Sequence, residues 1–430
     1  MTWRRDDAHR IWIGGVSVAE LVETFGTPLY VMDYATVVDR LGRYQAALAA
    51  CDPPGLPYYA GKAFLCRALA GLLEERGVGL DVVSGGELAT ALAGGFDPRR
   101  ILFHGNVKTR DEIAYGLAQG VGLWAVDSLD ELALLDQMAG AAGVKAAIVL
   151  RLTPGIEAHT HAFIRTGQFD TKFGLAMAAG IAEGAVDAAL AAPHLDLVGY
   201  HAHIGSQILE VEPFLANLER LLGFARDQYQ RLGFWPEVLD VGGGLGVRYT
   251  PEDDPPPLEV VVEGMRELLR QWTPPDRSPP RLYMEPGRSV VAEAGVTLYR
   301  VGAIKTVPSG RRYLAVDGGM GDNIRPALYQ APYRAEVDGK VGEAVAATLA
   351  GRYCESGDIL IAEQQWPADV AVGDVVAVLG TGAYNYTMAS NYNRVPRPPV
   401  VAVREGQARV WVEGERWEDL YRLDRPWEPW

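Results

Sequence analysis

LPYYAGKAFLCRALAGLLEERGVGLDVVSGGEL, residues 56–88, holds the repeating unit on which the fold reading rests. An apolar run, Leu56–Ala60, ends on Gly61-Lys62. Leu65, Leu69, Leu72 and Leu73 then follow the spacing of one helix face, and Gly77 suits the helix stop. A second apolar run, Leu80–Ser84, leads into Gly85-Gly86-Glu87-Leu88, where Ser84 suits an N-cap.

Outward from this stretch the alternation continues. Ile101–His104, Leu123–Asp127, Ala147–Leu152, Leu197–His203, Val238–Val241 and Arg281–Glu285 are further candidate strands. Ser128-Leu129-Asp130-Glu131 reads as a capping box opening a helix with Leu132, Leu135 and Met138. Helical patterns also cover Glu212–Leu232 and Leu258–Trp272. Eight alternations within about 230 residues predict a closed (β/α)8 TIM barrel rather than an open sheet. After Arg288 the texture changes to Val-rich stretches separated by Gly, Asp and Pro, at Val290–Val307, Tyr313–Val316, Ile359–Glu363, Val375–Leu379 and Pro399–Val412. They predict a mostly β C-terminal domain. The N-terminal segment, with Ile11-Trp12-Ile13 and an amphipathic Val18–Phe25, is expected to join that domain. The expected division is 1–28, a barrel over 29–290, and 291–430, an α/β protein overall.

Composition narrows the function. Of 430 residues, 40 are Lys or Arg and 55 Asp or Glu, a formal charge of −15. That balance argues against nucleic acid and anionic membranes as partners. No apolar run of about 18 residues occurs, and the charged N-terminus lacks the apolar stretch of a signal peptide. Three cysteines without a Cys-x-x-Cys offer neither a disulfide framework nor a zinc ribbon. A cytoplasmic protein is expected.

Barrel enzymes carry their reactive groups where strands end. Lys62 follows the first strand, so it either reaches solvent at the rim or has its pKa lowered by desolvation for Schiff-base chemistry. Asp81, on the second strand, could orient a neighbouring charge, or the segment could be a plain helix cap. His201 and His203 alternate onto one face of the sixth strand and could bind a metal, lie flat on an aromatic ligand, or be core histidines. Gly242-Gly243-Gly244-Leu245-Gly246 lets backbone N–H groups close on an anion, as loops after late barrel strands often do, or is a tight turn. Glu285 and Arg288 stand after the eighth strand, as an ion pair or as part of the same mouth. A lysine, an anion-binding glycine loop, a flat histidine and an acid at one mouth together describe a pyridoxal 5'-phosphate site, with Glu285 facing the ring nitrogen.

The residues then resemble a known family, the barrel-type (fold type III) pyridoxal-phosphate decarboxylases, and most closely those acting on diaminopimelate. The resemblance is carried by YYAGKA (58–63), DVVSGGEL (81–88), HAHIGSQ (201–207), GGGLG (242–246), EPGR (285–288), RPALY (325–329), CESGD (354–358) and GAYNYTMASNYN (382–393). Thr160-His161, Thr166-Gly167 and Lys172-Phe173-Gly174 also match, and the likeness spans about residues 25 to 400. On strand three the family's Gly-Asn-Asn-Lys is here Gly105-Asn106-Val107-Lys108, and Trp427–Trp430 has no counterpart.

The resemblance implies decarboxylation of meso-2,6-diaminopimelate to L-lysine and CO2, the last step of lysine biosynthesis. It implies that Lys62 carries the cofactor's aldehyde, that His203 stacks on its ring, and that Gly243, Gly244, Ser206 and the backbone of Glu285–Arg288, Gly287 included, hold its phosphate. Glu285 would pair with the ring nitrogen, Asp81 would belong to the cofactor site, and Tyr384 would touch cofactor and substrate. Arg288, Arg325 and Tyr329 would grip the substrate's distal carboxylate, with Glu355 near its distal ammonium and Cys354 as proton donor. It also implies a homodimer in which the partner subunit lends the Cys354-Glu355 loop. Independently of the resemblance, two arginine forks suit bidentate carboxylate binding.

The rivals are a related decarboxylase for ornithine, lysine or carboxynorspermidine, a racemase, a metal-dependent barrel hydrolase using His201 and His203, and a non-catalytic cofactor-binding homologue. Racemases that resemble this chain put arginine at the ring nitrogen. The hydrolases carry their His-x-His early, with further histidines later. Retention of both Lys62 and Cys354 speaks against the non-catalytic reading.

Overall fold

A computed structural model describes residues 2–156 and 172–430. Thr160-His161 and Thr166-Gly167 lie outside the described residues. The chain divides into two compact units. One comprises Asp39–Val247 and Asp254–Ser289; the other comprises Met1–Val38, Arg248–Asp253 and Val290–Trp430.

The first unit is a barrel of parallel strands, Leu56–Ala60, Gly79–Val82, Ile101–Phe103, Leu123–Val126, Ala146–Thr153, Leu195–His201, Val238–Asp240 and Arg281–Met284. Each pairs with the next, and the last returns to the first through Tyr283 opposite Leu56 and Met284 opposite Pro57. All the expected strands are present. Several end one or two residues early, at Val82, Phe103, Val126, His201, Asp240 and Met284. Beyond them His104, Asp127, His203 and Glu285 have left the ladder, so their side chains line the barrel top instead of alternating across a sheet.

The helices follow their strands, at Arg67–Arg76, Gly85–Ala93, Arg110–Gln119, Leu129–Ala142, Ile181–Ala191, Glu212–Leu232 and Leu258–Trp272. The first starts at Arg67, because Gly61–Ala63 forms a 3-10 turn that sets Lys62 at the strand end; Gly77 closes the helix in the left-handed conformation. The capping box expected at Ser128 forms only by half. Ser128 Oγ accepts from the Glu131 N–H at 3.2 Å, but the Glu131 carboxylate accepts from Lys108 Nζ at 2.6 Å and from the Asp127 N–H at 3.3 Å.

Toward the strand starts the barrel is filled by Tyr58, Leu102, Leu123, Ala125, Val149, Val238 and Tyr283. A cavity of about 660 Å3 opens at that end beside Trp235 and Arg277. It lies at the face whose role in barrels is stability rather than chemistry. The apolar filling leaves polar groups to gather at the opposite end.

The second unit is mostly sheet. Gly295–Thr306 is its long central strand, flanked by Leu29–Asp33, Arg312–Val316 and Val375–Leu379; the hairpin Val400–Arg404 and Gln407–Val412 extends it past Leu29–Asp33. Because Leu29–Asp33 is a fully buried strand here, this unit takes in residues beyond the boundary expected at 28. The N-terminal segment joins it as expected. Ile11, Ile13, Val16, Val18, Leu21 and Val22 pack with Leu29, Val31, Val296, Leu298, Val401 and Val403 in one cluster. Each such burial contributes about 1.5–3 kcal/mol before chain entropy is counted. Among the described residues, no helix is long and apolar enough to cross a membrane.

Candidate active site

At the barrel top, three loops approach one another closely through their backbones. The Gly243 Cα lies so close to strand eight that a Cβ there would stand 2.1 Å from the Glu285 carbonyl oxygen. Gly244, at φ +115, would put a Cβ 2.6 Å from the Gly205 carbonyl oxygen. Only glycine permits this approach. Backbone bonds hold it: Glu285 N–H to Gly242 O at 2.9 Å, Ile208 N–H to Gly244 O at 3.0 Å, and Gly246 N–H to Ile208 O at 2.9 Å. Ser206 joins the rim by accepting from Arg288 Nε at 3.1 Å, and Arg288 is itself buried. Gly287 packs its Cα against Ala60 and Ala63, which flank the lysine. The structure thus brings Ser206, Gly243, Gly244, Glu285, Gly287 and Arg288 into one neighbourhood.

Glu285 is the centre of a second arrangement. It is 5 % exposed, with Oε1 2.5 Å from His104 Nε2 and Oε2 3.4 Å from His201 Nε2. The two imidazoles meet edge-on, 4.6 Å between centroids. Burial pushes the Glu285 carboxyl up, but His104 and His201 overcome it and hold the group well below the usual carboxylate range. Burial in turn lowers both histidines. The two imidazoles thus favour the carboxylate form of Glu285, with both Nε2 atoms placed to donate to it. Two neighbouring acids behave oppositely. Burial, with the Glu285 charge added, raises Asp240 well above its ordinary value. Asp81 is pushed up to about 7 by burial, partly offset by His104 and Lys62.

Lys62 sits half-buried after strand one, and its charge is felt by Asp81, Glu87, His201 and His203. Ser84 caps the following helix by accepting from the Glu87 N–H at 3.2 Å, while Glu87 accepts from the Val83 N–H at 2.7 Å. His203 feels the charges of His201 and Glu285, but its imidazole meets the glycine loop. His203 Nδ1 accepts from the Gly243 N–H at 3.3 Å, and its imidazole is held neutral by desolvation and by Lys62 and Arg151. Among the described residues, the group with metal-ligand spacing is His104, His201 and Glu285. The reason is that the strand stops at His201, so the alternation expected to pair the two histidines ends there.

In the sheet unit, Arg325 is buried, donates from Nε to Tyr333 Oη at 2.8 Å, and lies 5.5 Å from the Tyr329 ring centre and 5.4 Å from that of Tyr384. Tyr384 takes a left-handed backbone, φ 65, at the head of Asn385–Met388. Arg325, Tyr329 and Tyr384 therefore belong together. Glu355 is exposed and bonded to the Tyr392 hydroxyl, and Cys354 is an exposed free thiol.

Sequence reasoning missed His104, Asp240, Arg151 and Tyr333. Asp240 carried a signal, as a charged residue within an apolar run. His104 was absorbed into its strand.

A ring cofactor with a phosphate and an aldehyde fits these residues. The glycine cradle would be filled by any Cβ, Lys62 supplies an amine, and Glu285 an ionised acid. Asp81 Oδ1 and His201 Nδ1 are buried polar atoms without hydrogen-bond partners.

Comparison with known proteins agrees. Residues 34–292 match the pyridoxal binding domain of the pyridoxal-dependent decarboxylases. Diaminopimelate decarboxylase of Bacillus subtilis (strain 168) is 44% identical over 433 residues, covering 99% of this chain and 98% of the relative. A crystal structure of diaminopimelate decarboxylase from M. jannaschii in co-complex with L-lysine superposes with a TM-score of 0.93 at 34% identity, covering 99% of this chain and 98% of that one. The Helicobacter pylori enzyme complexed with L-lysine gives a TM-score of 0.86 at 32% identity, over 94% and 98%.

Proposed function

We infer the reaction from what the chain is: it belongs to the pyridoxal-dependent decarboxylases and, within them, to the diaminopimelate decarboxylases. It converts meso-2,6-diaminopimelate to L-lysine and CO2 with pyridoxal 5'-phosphate as cofactor. The observation that carries this is the match over 99% of the chain to a diaminopimelate decarboxylase holding L-lysine, the product of that reaction.

When bound, the cofactor supplies an aldehyde for the substrate's amine and a ring that takes up the electron pair left as CO2 departs. The chain does the rest. Lys62 holds the cofactor through its amine, with Asp81 beside it. Gly243, Gly244, Ser206 and the backbone of residues 285–288 bind the phosphate. His203 would stack on the ring and Glu285 would accept from its nitrogen's N–H. Of the two roles implied for Arg288, its bond to Ser206 supports the phosphate side. Arg325 and Tyr329 grip the substrate's distal carboxylate. The Tyr333 hydroxyl accepts from Arg325 Nε and leaves the terminal nitrogens of the guanidinium to face a ligand. Tyr384 contacts cofactor and substrate, Glu355 takes the distal ammonium, and Cys354 delivers a proton to the α-carbon. We further place the enzyme in the cytoplasm as a homodimer whose partner subunit provides the Cys354-Glu355 loop; the exposure of both residues supports this reading.

The test is CO2 release from meso-diaminopimelate, ornithine and lysine side by side. Diaminopimelate should be turned over far faster. Equal or greater turnover of a monocarboxylate would transfer the assignment to a related decarboxylase for ornithine or lysine.

A further inference from the structure

Three acids, Asp81, Asp240 and Glu285, are buried at the ends of strands two, seven and eight, and one of them must be a carboxylate for a protonated ring nitrogen to be held there. We propose that His104 is the positioning residue that selects Glu285, out of these three acids, to face the cofactor's ring nitrogen as a carboxylate. The inference rests on the reading that Glu285 meets that nitrogen.

The geometry is asymmetric. His104 Nε2 stands 2.5 Å from Glu285 Oε1, whereas His201 Nε2 is 3.4 Å from Oε2, at the limit of a hydrogen bond. His104 has little freedom to leave. It is 5 % exposed, its backbone N–H donates to Val82 O at 2.8 Å, and the edge of His201 confines its ring. Against an ionised carboxylate, which only accepts, Nε2 must be the protonated nitrogen. A carboxylate offers roughly four lone-pair directions, so the two histidines leave room for a further donor.

The charges around Glu285 make this contact decisive. Asp81 and Asp240 oppose its ionisation, and Arg151, Lys62 and His203 complete the surrounding titratable set. Asp240 accepts the Gly242 N–H on Oδ1 at 2.8 Å and is side-chain hydrogen-bonded to Glu285, which favours the proton on Asp240, while Asp81 Oδ1 has no partner. Neither acid has a hydrogen bond from an imidazole. Without the His104 N–H, Glu285 keeps only the long imidazole contact of His201 and competes less well against Asp81 and Asp240 to remain the ionised acid. A protonated Glu285 could donate to the ring nitrogen but no longer hold a proton on it.

The experiment titrates pyridoxal 5'-phosphate into apo-protein between pH 6 and 8, read by tryptophan quenching, for the unsubstituted chain and for His104→Leu, His104→Gln and Glu285→Gln. With one proton competing, affinity falls up to about tenfold per pH unit below the new Glu285 pKa. His104→Leu should therefore weaken binding at pH 6 relative to pH 8 by about tenfold or more beyond the unsubstituted protein. His104→Gln, whose amide nitrogen stands near the Nε2 position, should restore the profile to within about threefold. Glu285→Gln should bind weakly at every pH with no added slope. If His104→Leu keeps the unsubstituted profile while Glu285→Gln binds weakly, the His104 proposal is overturned and the Glu285 reading stands. If Glu285→Gln binds normally, that reading fails and takes the proposal with it. Should His104→Leu not fold, His104→Asn replaces it under the same criteria, because its shorter amide does not reach Glu285.

Discussion

Gly243→Ala perturbs the cradle at its tightest point. The new Cβ would stand 2.1 Å from the Glu285 carbonyl oxygen. An ordinary carbon–oxygen contact is about 3.2 Å or more, so one backbone segment must retreat by about 1 Å. Both partners are main chain, and no side-chain rotation relieves the clash. The retreat also strains the Glu285 N–H bond to Gly242 O, now 2.9 Å. Overpacking costs about 1–3 kcal/mol and a lost buried bond about 1 more. A total of about 2–4 kcal/mol corresponds to a melting temperature lowered by roughly 4–16 °C for a unit of this size. Displaced amides lose a charged hydrogen bond to phosphate, worth about 1.5–3 kcal/mol, or roughly ten- to hundredfold in cofactor affinity. Differential scanning of the apo-protein and a cofactor titration read the two effects separately. Gly223→Ala, in helix Glu212–Leu232 with its nearest neighbour 3.8 Å away, is the control and should be neutral or stabilising. If Gly243→Ala melts within about 1 °C of the parent and binds the cofactor within about threefold, the cradle argument is wrong.

Other consequences follow from buried charge and from the proposed roles. Glu131→Gln strands the Lys108 ammonium, which is 1 % exposed and 2.6 Å from the Glu131 carboxylate; denaturant unfolding should show a loss of about 3–5 kcal/mol, while the double change Lys108→Met with Glu131→Leu should lose much less. Asp322, buried and accepting from the Gly319 N–H at 2.6 Å, is pushed up to about 7 by burial. The folded state then binds the proton more tightly than the unfolded one, so stability is lost as pH rises from the unfolded value of about 4 to the folded value of about 7. Asp322→Asn should gain about 2–3 kcal/mol on the parent between pH 5 and pH 8; parallel pH profiles would show that Asp322 is ionised throughout. Cys354→Ala should slow lysine formation at least about tenfold while leaving cofactor affinity unchanged, and an unchanged rate would remove the thiol from proton delivery.

Periodicity made the barrel legible. Leu56–Ala60, Glu212–Leu232 and Leu258–Trp272 begin and end where the apolar spacing predicts, because each buries one continuous face. Ala344–Ala350 and Ala335–Val337 escaped notice, since an Ala-rich strand has weak local preference and is held by its neighbours Ile359–Pro367 and Val375–Leu379. Leu29–Asp33 gave no clue that its partners are Gly295–Thr306 and Val400–Arg404, hundreds of residues on. The Ser128 box failed for a related reason: a four-residue pattern cannot register Lys108, twenty-three positions upstream, competing for Glu131. At the mouth, Lys62, the glycine run and Glu285 each had a plain structural alternative in the sequence, and only their joint placement at strand ends pointed to one site. His104 was not, because its role exists only through Glu285, which the chain supplies 181 residues later.

The most direct test is the site of attachment. Holoenzyme reduced with borohydride, digested and mapped by mass spectrometry should carry the reduced cofactor on the peptide containing Lys62 and on no other lysine. Recovery of the label at a different lysine, or an active enzyme that takes up none, would contradict the account.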